Sequence, residues 1–169
     1  MIAIQDAAVG HVGLARLERS DGEALRRLFF RLSPETVYRR FHSPIVRPEQ
    51  AHPERLLDVD HHDRDAVVAV VDQEIVGVAR YAIWAGTDRA DLAVVVADDW
   101  QNQGLATRML GALAELAQSA GIKSFTATVQ ADNRPALGLM RRFRPSARAS
   151  FSDGSCDFTL PVTSGDSSL

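Results

Sequence analysis

In the stretch VVVADDWQNQGLAT, residues 94–107, a β-branched run passes through a polar turn into small residues that open a long amphipathic segment. Gln101, Gly104 and Ala106 stand there at Gln-x-x-Gly-x-Ala spacing. Where a turn becomes a helix, several backbone N–H groups lack partners inside the helix. Here that transition is read at Gln103. These groups point one way and the helix dipole adds partial positive charge, which suits a phosphate or pyrophosphate. Gly104 and Ala106 have almost no side chain, so a bulky anion can approach the main chain, and Thr107 adds a hydroxyl. The other reading is an ordinary turn whose small residues serve helix–strand packing.

Other phosphate chemistries fit less well. A P-loop needs GxxxxGK followed by Ser or Thr, and no lysine sits in this turn; a dinucleotide fingerprint needs more than its single glycine. His61 and His62 lie among Asp58, Asp60, Asp63 and Asp65, but they are adjacent rather than spaced on one helical face, so no metal site is expected. Arg141, Arg142, Arg144 and Arg148 form a basic cluster that reads either as a phosphate contact or as a solvated face. Cys156 is the only cysteine, which excludes an internal disulfide and fits a reducing cytoplasm; nothing adjacent would activate it as a nucleophile.

The elements that must position these residues follow from pattern. A chain of 169 residues with 46% hydrophobic content is expected to form a single domain, set at 11–162, with flexible ends at 1–10 and 163–169. Net charge is -3, so no nucleic-acid partner is expected; no apolar run reaches about 18 residues, so no membrane span is expected. The N-terminus lacks a basic signal region, which again points to the cytoplasm. Val12–Glu18 alternates as a strand, and Asp21 is placed to cap a helix carrying Leu25, Leu28, Phe29 and Leu32. Ser33-Pro34 starts a second helix over PETVYRRF, and a short one follows Pro53. AVVAVVD and IVGVARYAIW read as a hairpin turning at Gln73–Glu74, and RADLAVVVA as the next strand. Thr107–Ala120 is helical with Gly121 ending it, SFTATVQ is a strand, ADNRPALGLMRRF a helix, and ARASF and CDFTLPV closing strands. Together these give a mixed α/β (α+β) sandwich around one central sheet.

The segment LAVVVADDWQNQGLATRMLGALAELAQSAGI resembles the core motif of the GNAT superfamily of N-acetyltransferases, which carries Gln/Arg-x-x-Gly-x-Gly/Ala between a strand and a helix. SFTATVQ with ADNRPALGLMRRF resembles the next unit of that family, and RRLFFRLSPETVYRRFHSP is similar to GNAT domains of bacterial protein lysine acetyltransferases. The resemblance covers about residues 12 to 145 and implies a mostly antiparallel mixed sheet flanked by helices, with a strand-turn-helix pyrophosphate site. It implies acetyl-CoA as cosubstrate and no metal. Gln101, Asn102, Gln103, Gly104, Leu105, Ala106 and Thr107 would cradle the pyrophosphate, and main chain at Val94 and Val96 would pair with the pantetheine arm. Asn133 matches an asparagine near the pantetheine; its alternative role is a plain helix cap.

Related lysine acetyltransferase domains carry a glutamate where this chain has Asp91, so the resemblance implies Asp91 as the catalytic base, with a bridging water because aspartate is shorter. The family's Gly-Phe after this helix is replaced by Arg144-Pro145, and its acid tyrosine is absent; Tyr38 and Tyr81 are the substitutes to consider. The implied activity is transfer of an acetyl group directly to a primary amine of a small molecule or a protein lysine. A catalytically weak acyl-CoA sensor is the alternative. Pairing through the last strands leaves a homodimer open.

Overall fold

The structure, a computed structural model, describes residues 1–5, 12–36 and 53–165. Among them, strands β1 (Ile2–Gln5), β2 (Gly13–Arg16), β3 (Arg64–Val71), β4 (Glu74–Ile83), β5 (Arg89–Val96), β6 (Ser124–Gln130), β7 (Arg148–Ser152) and β8 (Ser155–Pro161) form one sheet. Its order is β1-β2-β3-β4-β5-β6-β8-β7. Every neighbouring pair is antiparallel except β5 and β6. A parallel pair requires a crossover, and here it is helix α2, Leu105–Ser119. The mixed, mostly antiparallel sheet with flanking helices is the expected architecture.

Apolar patterning explains the layers. Ala66, Val67, Val68 and Ala69 are consecutive and all fully buried, so both faces of β3 are covered, as its unbroken apolar run requires. Helix α1, Gly22–Phe30, contributes buried Leu25, Leu28 and Phe29 to this core, and α2 contributes Met109, Leu110 and Leu113. Gly77 lets β4 lie close under α2, since a Cβ there would sit 2.9 Å from the Met109 Cε. Helix α3, Arg134–Phe143, packs beside α2 through Leu137, Met140 and Phe143.

Several local expectations shift. Ile2–Gln5, expected without regular structure, pairs with β2 as an edge strand; residues 6–10 lie outside the described residues. The hairpin turns at Asp72 and Gln73, with φ of 48° and 66°, one residue earlier than expected. Two left-handed residues match the twist of the flanking strands, as a type I′ turn does. Asp21 stands at the N-cap of α1 but makes no cap bond to it. A 3-10 turn over Arg19–Asp21 leads directly into α1, and its capping box claims the Asp21 carboxylate, which accepts the Glu18 N–H at 2.8 Å. Ser33 caps as expected, its Oγ accepting the Thr36 N–H at 3.2 Å. Pro34 to Thr36 are helical, and the rest of PETVYRRF, Tyr38 included, lies outside the described residues.

Candidate active site

The sheet parts between β5 and β6. Their pairing begins at Arg89 with Ser124 and ends at Asp91 with Thr126, after which β5 runs on without β6. The direction of its free groups follows from the ladder with β4. Trp84 donates its N–H to the Arg89 carbonyl, and Ala97 to that of Val76, both at 2.8 Å. Bonded pairs alternate in an antiparallel ladder, so odd-numbered residues of β5 bond to β4. Leu92, Val94 and Val96 therefore turn their backbone N–H and C=O into the gap. The Val96 carbonyl is already engaged, accepting the Gln101 Nε2 at 3.0 Å, which pins the following turn to the strand.

That turn builds a cradle. A short 3-10 segment, Asp98–Trp100, leads to Asn102 and Gly104, both left-handed with φ of 61° and 76°. Gly104 is the N-cap of α2, and no side chain caps that helix. The free first-turn donors are thus those of Leu105, Ala106 and Thr107, two residues later than Gln103, where the sequence reading placed the start. A Cβ on Gly104 would meet nothing within 4 Å, so the space beside the N-cap is open. Asp98 braces the turn, its Oδ1 accepting from Ser33 N at 3.2 Å and Thr36 Oγ1 at 3.0 Å. Burial pushes the Asp98 carboxyl up, and the hydrogen bonds from Ser33 and Thr36 more than reverse this, holding it below the usual carboxylate range.

One cleft of about 890 Å³ joins the gap to the cradle. It brings together Asp91, Val94, Val96, Gln101, Asn102, Gly104, Leu105, Ala106, Thr107 and Asn133, all singled out from the sequence. Gln103 does not line it; its Nε2 donates to the Asp99 carbonyl at 3.1 Å. Asn133 caps α3 by accepting the Ala136 N–H at 3.3 Å, which leaves its amide NH₂ available toward the cleft. Trp100 is half-buried against the core beneath the turn.

The cleft opens on both faces of the sheet. Residues paired across strands share a face, so Leu92, Val94 and Val96 share one with Gly77, the side of α2. Asp91 lies on the other face, with Thr126 and Thr128 of β6 and Asp157 and Thr159 of β8. Thr126 Oγ1 donates to Asp91 Oδ1 at 2.7 Å, and Thr128 Oγ1 to Asp157 Oδ1 at 2.6 Å. This threonine and aspartate wall was missed from sequence. The polar positions of SFTATVQ and CDFTLPV carry its only signal, and alternation alone marks them as solvent-facing.

Other candidates fall elsewhere. Tyr81 is fully buried beside Phe125, donates its hydroxyl to the His62 carbonyl at 2.8 Å, and does not line the cleft. Burial, then the nearby Asp65, pushes its phenol far up, and its place in the core outside the cleft removes it as the acid. Arg144 donates to the carbonyls of Pro161, at 2.7 Å, and Val162, at 2.6 Å, so it ties α3 to the end of β8. Of that basic cluster only Arg142 lines the cleft. Cys156 is fully buried and burial pushes its thiol up, consistent with packing. Among the described residues no His, Cys, Asp and Glu group of three or more is placed to hold a metal ion. His61 Nε2 instead lies 2.9 Å from the Leu17 carbonyl.

Residues 25–144 match the acetyltransferase (GNAT) family. The chain belongs to the GNAT family. It is 34% identical over 128 residues to an acetyltransferase of Pseudomonas aeruginosa, covering 73% of this chain and 69% of that protein. It is 33% identical to acetyltransferase Pat of Mycolicibacterium smegmatis over 65% of this chain but only 34% of Pat, so it spans about a third of that relative. Among solved structures, the GNAT domain of S. lividans PAT superposes with a TM-score of 0.79 at 25% identity, covering 90% of this chain and 91% of that domain. The PaiA N-acetyltransferase of Thermoplasma acidophilum, solved in complex with coenzyme A, shares the fold with a TM-score of 0.69 at 15% identity over 89% of this chain and 99% of its own. This GNAT chain is an acetyltransferase.

Proposed function

We propose that this GNAT acetyltransferase takes its acetyl group from acetyl-CoA and passes it directly to a primary amine of a small molecule or a protein lysine. The observation that carries the reading is one cleft in which an unpaired strand edge meets an uncapped helix N-terminus with open space over Gly104. A pyrophosphate suits the N–H groups of Gly104 through Thr107, with Gln101 and Asn102 beside them, and Gln103, which does not line the cleft, drops out of the set. Val94 and Val96 offer the pantetheine amides a strand to pair with, and the Asn133 NH₂ lies along the same path. No helix among the described residues is long and apolar enough to cross a membrane. The buried thiol of the single cysteine suits work in the cytoplasm.

The amine acceptor approaches from the face that carries Asp91. An alkylamine has a pKa of about 10.4, so it arrives as an ammonium and must lose a proton before it attacks. Asp91, oriented by Thr126, accepts that proton through a water. The amine nitrogen then bonds to the acetyl carbon, a β5 backbone N–H stabilises the oxyanion, and the C–S bond breaks as the nitrogen gives its second proton to solvent. The thiolate leaves with CoA and takes its proton from solvent.

Thiol release from acetyl-CoA, followed with a panel of amines and lysine-bearing proteins, tests this. Turnover should saturate in acetyl-CoA, and Gly104→Glu should abolish cosubstrate binding by placing a carboxylate in the cradle. Tight acetyl-CoA binding by that variant would sink the pyrophosphate assignment. Saturable binding with no turnover on any amine would replace the enzyme reading with that of an acyl-CoA sensor.

A further inference from the structure

We infer that Asp157 reads a second positive charge on the acceptor, so that the preferred amine carries another cation on the order of 10 Å from its reacting nitrogen. The inference rests on the acyl-transfer reading of the same cleft and specifies the chemical class of the acceptor.

β6 holds a carboxylate on each side. Thr126 donates to Asp91 on β5, and Thr128, two residues along, donates to Asp157 on β8. Asp157 lines the cleft, is exposed, and shares the face of Asp91. Two strand spacings of about 4.8 Å and a two-residue rise of about 3.3 Å each separate the two positions, which sets the length scale of the ligand. The bond from Thr128 occupies Asp157 Oδ1 and leaves Oδ2 open toward the cleft.

Some carboxylates among the described residues are matched by cations within the fold, and others, Asp91 among them, are not. Glu74 meets Arg27 and Arg31, and Asp58 meets Arg64. Among the described residues no cation comes within 4 Å of Asp157; Arg148, diagonal to it on β7, makes no ion pair with it. An aromatic completes the wall. Trp84 is 43% exposed, lines the cleft, and lies on the Asp91 face two residues beyond the Ala82–Asp91 pair, opposite Arg89. An exposed indole on that face suits the apolar stem of an alkylamine. The face that carries Asp91 and Asp157 also carries Arg89 at its far end, so a dication is accommodated between the two carboxylates, away from that guanidinium.

Two sources can supply this chemistry, a polyamine or a lysine with a basic neighbour in a protein. The test compares octylamine with its α,ω-diamine, and a single-lysine peptide with the same peptide carrying a nearby arginine. The wild type should prefer the doubly charged member of at least one pair. Asp157→Asn, which keeps an acceptor for Thr128, should reduce that preference, read as the ratio of kcat/KM values, by about 3- to 10-fold at low salt. Asp157→Lys should reverse it. Response of the diamine alone identifies a small polyamine, and response of the peptide alone a protein acceptor.

A ratio unchanged in both variants overturns the inference and leaves Asp157 as a partner for Thr128 only. Failure of every acceptor to release thiol would instead count against the acyl-transfer reading. In that event the same pairs of amines, titrated by calorimetry against the protein with CoA present, still decide whether Asp157 selects the second charge.

Discussion

At Gly104 the demands of the backbone and of the proposed ligand coincide. A φ of 76° favours glycine, and the same missing Cβ leaves the helix N-terminus bare. At Asp91 the proposed demand is chemical. Its carboxylate is fixed by one threonine on a strand that leaves the pairing at that residue. Asp91→Asn keeps an oxygen for Thr126 and removes the proposed proton acceptor, so kcat should fall by about 10²-fold while the KM for acetyl-CoA stays within about twofold. Steady-state kinetics at saturating acceptor decide the point, and an unaltered kcat would remove Asp91 from the mechanism. The residue types of this site were legible because cradle chemistry is local: a glycine, small neighbours and a strand before them within fourteen positions.

Elements were legible where periodicity is strong. The β-branched run of β5 and the Met109, Leu110, Leu113 spacing of α2 each specify an element without knowledge of the rest. The start of α2 was misplaced because a single left-handed residue, Gly104, decides which N–H groups are orphaned, and no pattern announces it. Thr126, Thr128 and Asp157 were missed for a different reason. Only the β5–β6–β8 register, which joins residues up to about seventy positions apart, turns their polar face into a cleft wall. Register also underlies the buried ion pair between β2 and β3. Arg16 Nε donates to Asp65 Oδ1 at 3.1 Å and Oδ2 at 3.0 Å, and Asp65 is fully buried. Asp65→Ala strands the guanidinium and should destabilise the fold by about 3 kcal/mol, measured by urea unfolding. A loss below about 1 kcal/mol would show that water reaches Arg16 easily.

On the scale of the whole molecule, β1 to β5 and β6 to β8 form two half-sheets joined by three residue pairs and by the α2 crossover. Acetyl-CoA laid along Leu92 to Val96 would touch both halves. At 100 times its dissociation constant it should raise the unfolding free energy by about 2.7 kcal/mol. Thermal denaturation should show the rise, and hydrogen exchange should slow at the Val94 and Val96 amides before any in β3. Equal protection throughout the sheet would argue against a ligand seated in the gap.

The gap has a physiological consequence as well. Proteolysis in cells draws on the opened fraction of a protein, so if the proposed cosubstrate closes the gap between β5 and β6, the lifetime of this fold is tied to the supply of that cosubstrate. When acetyl-CoA runs low, more of this acetyltransferase should be degraded as well as idle, and its abundance should follow the acetyl supply without any change in its synthesis.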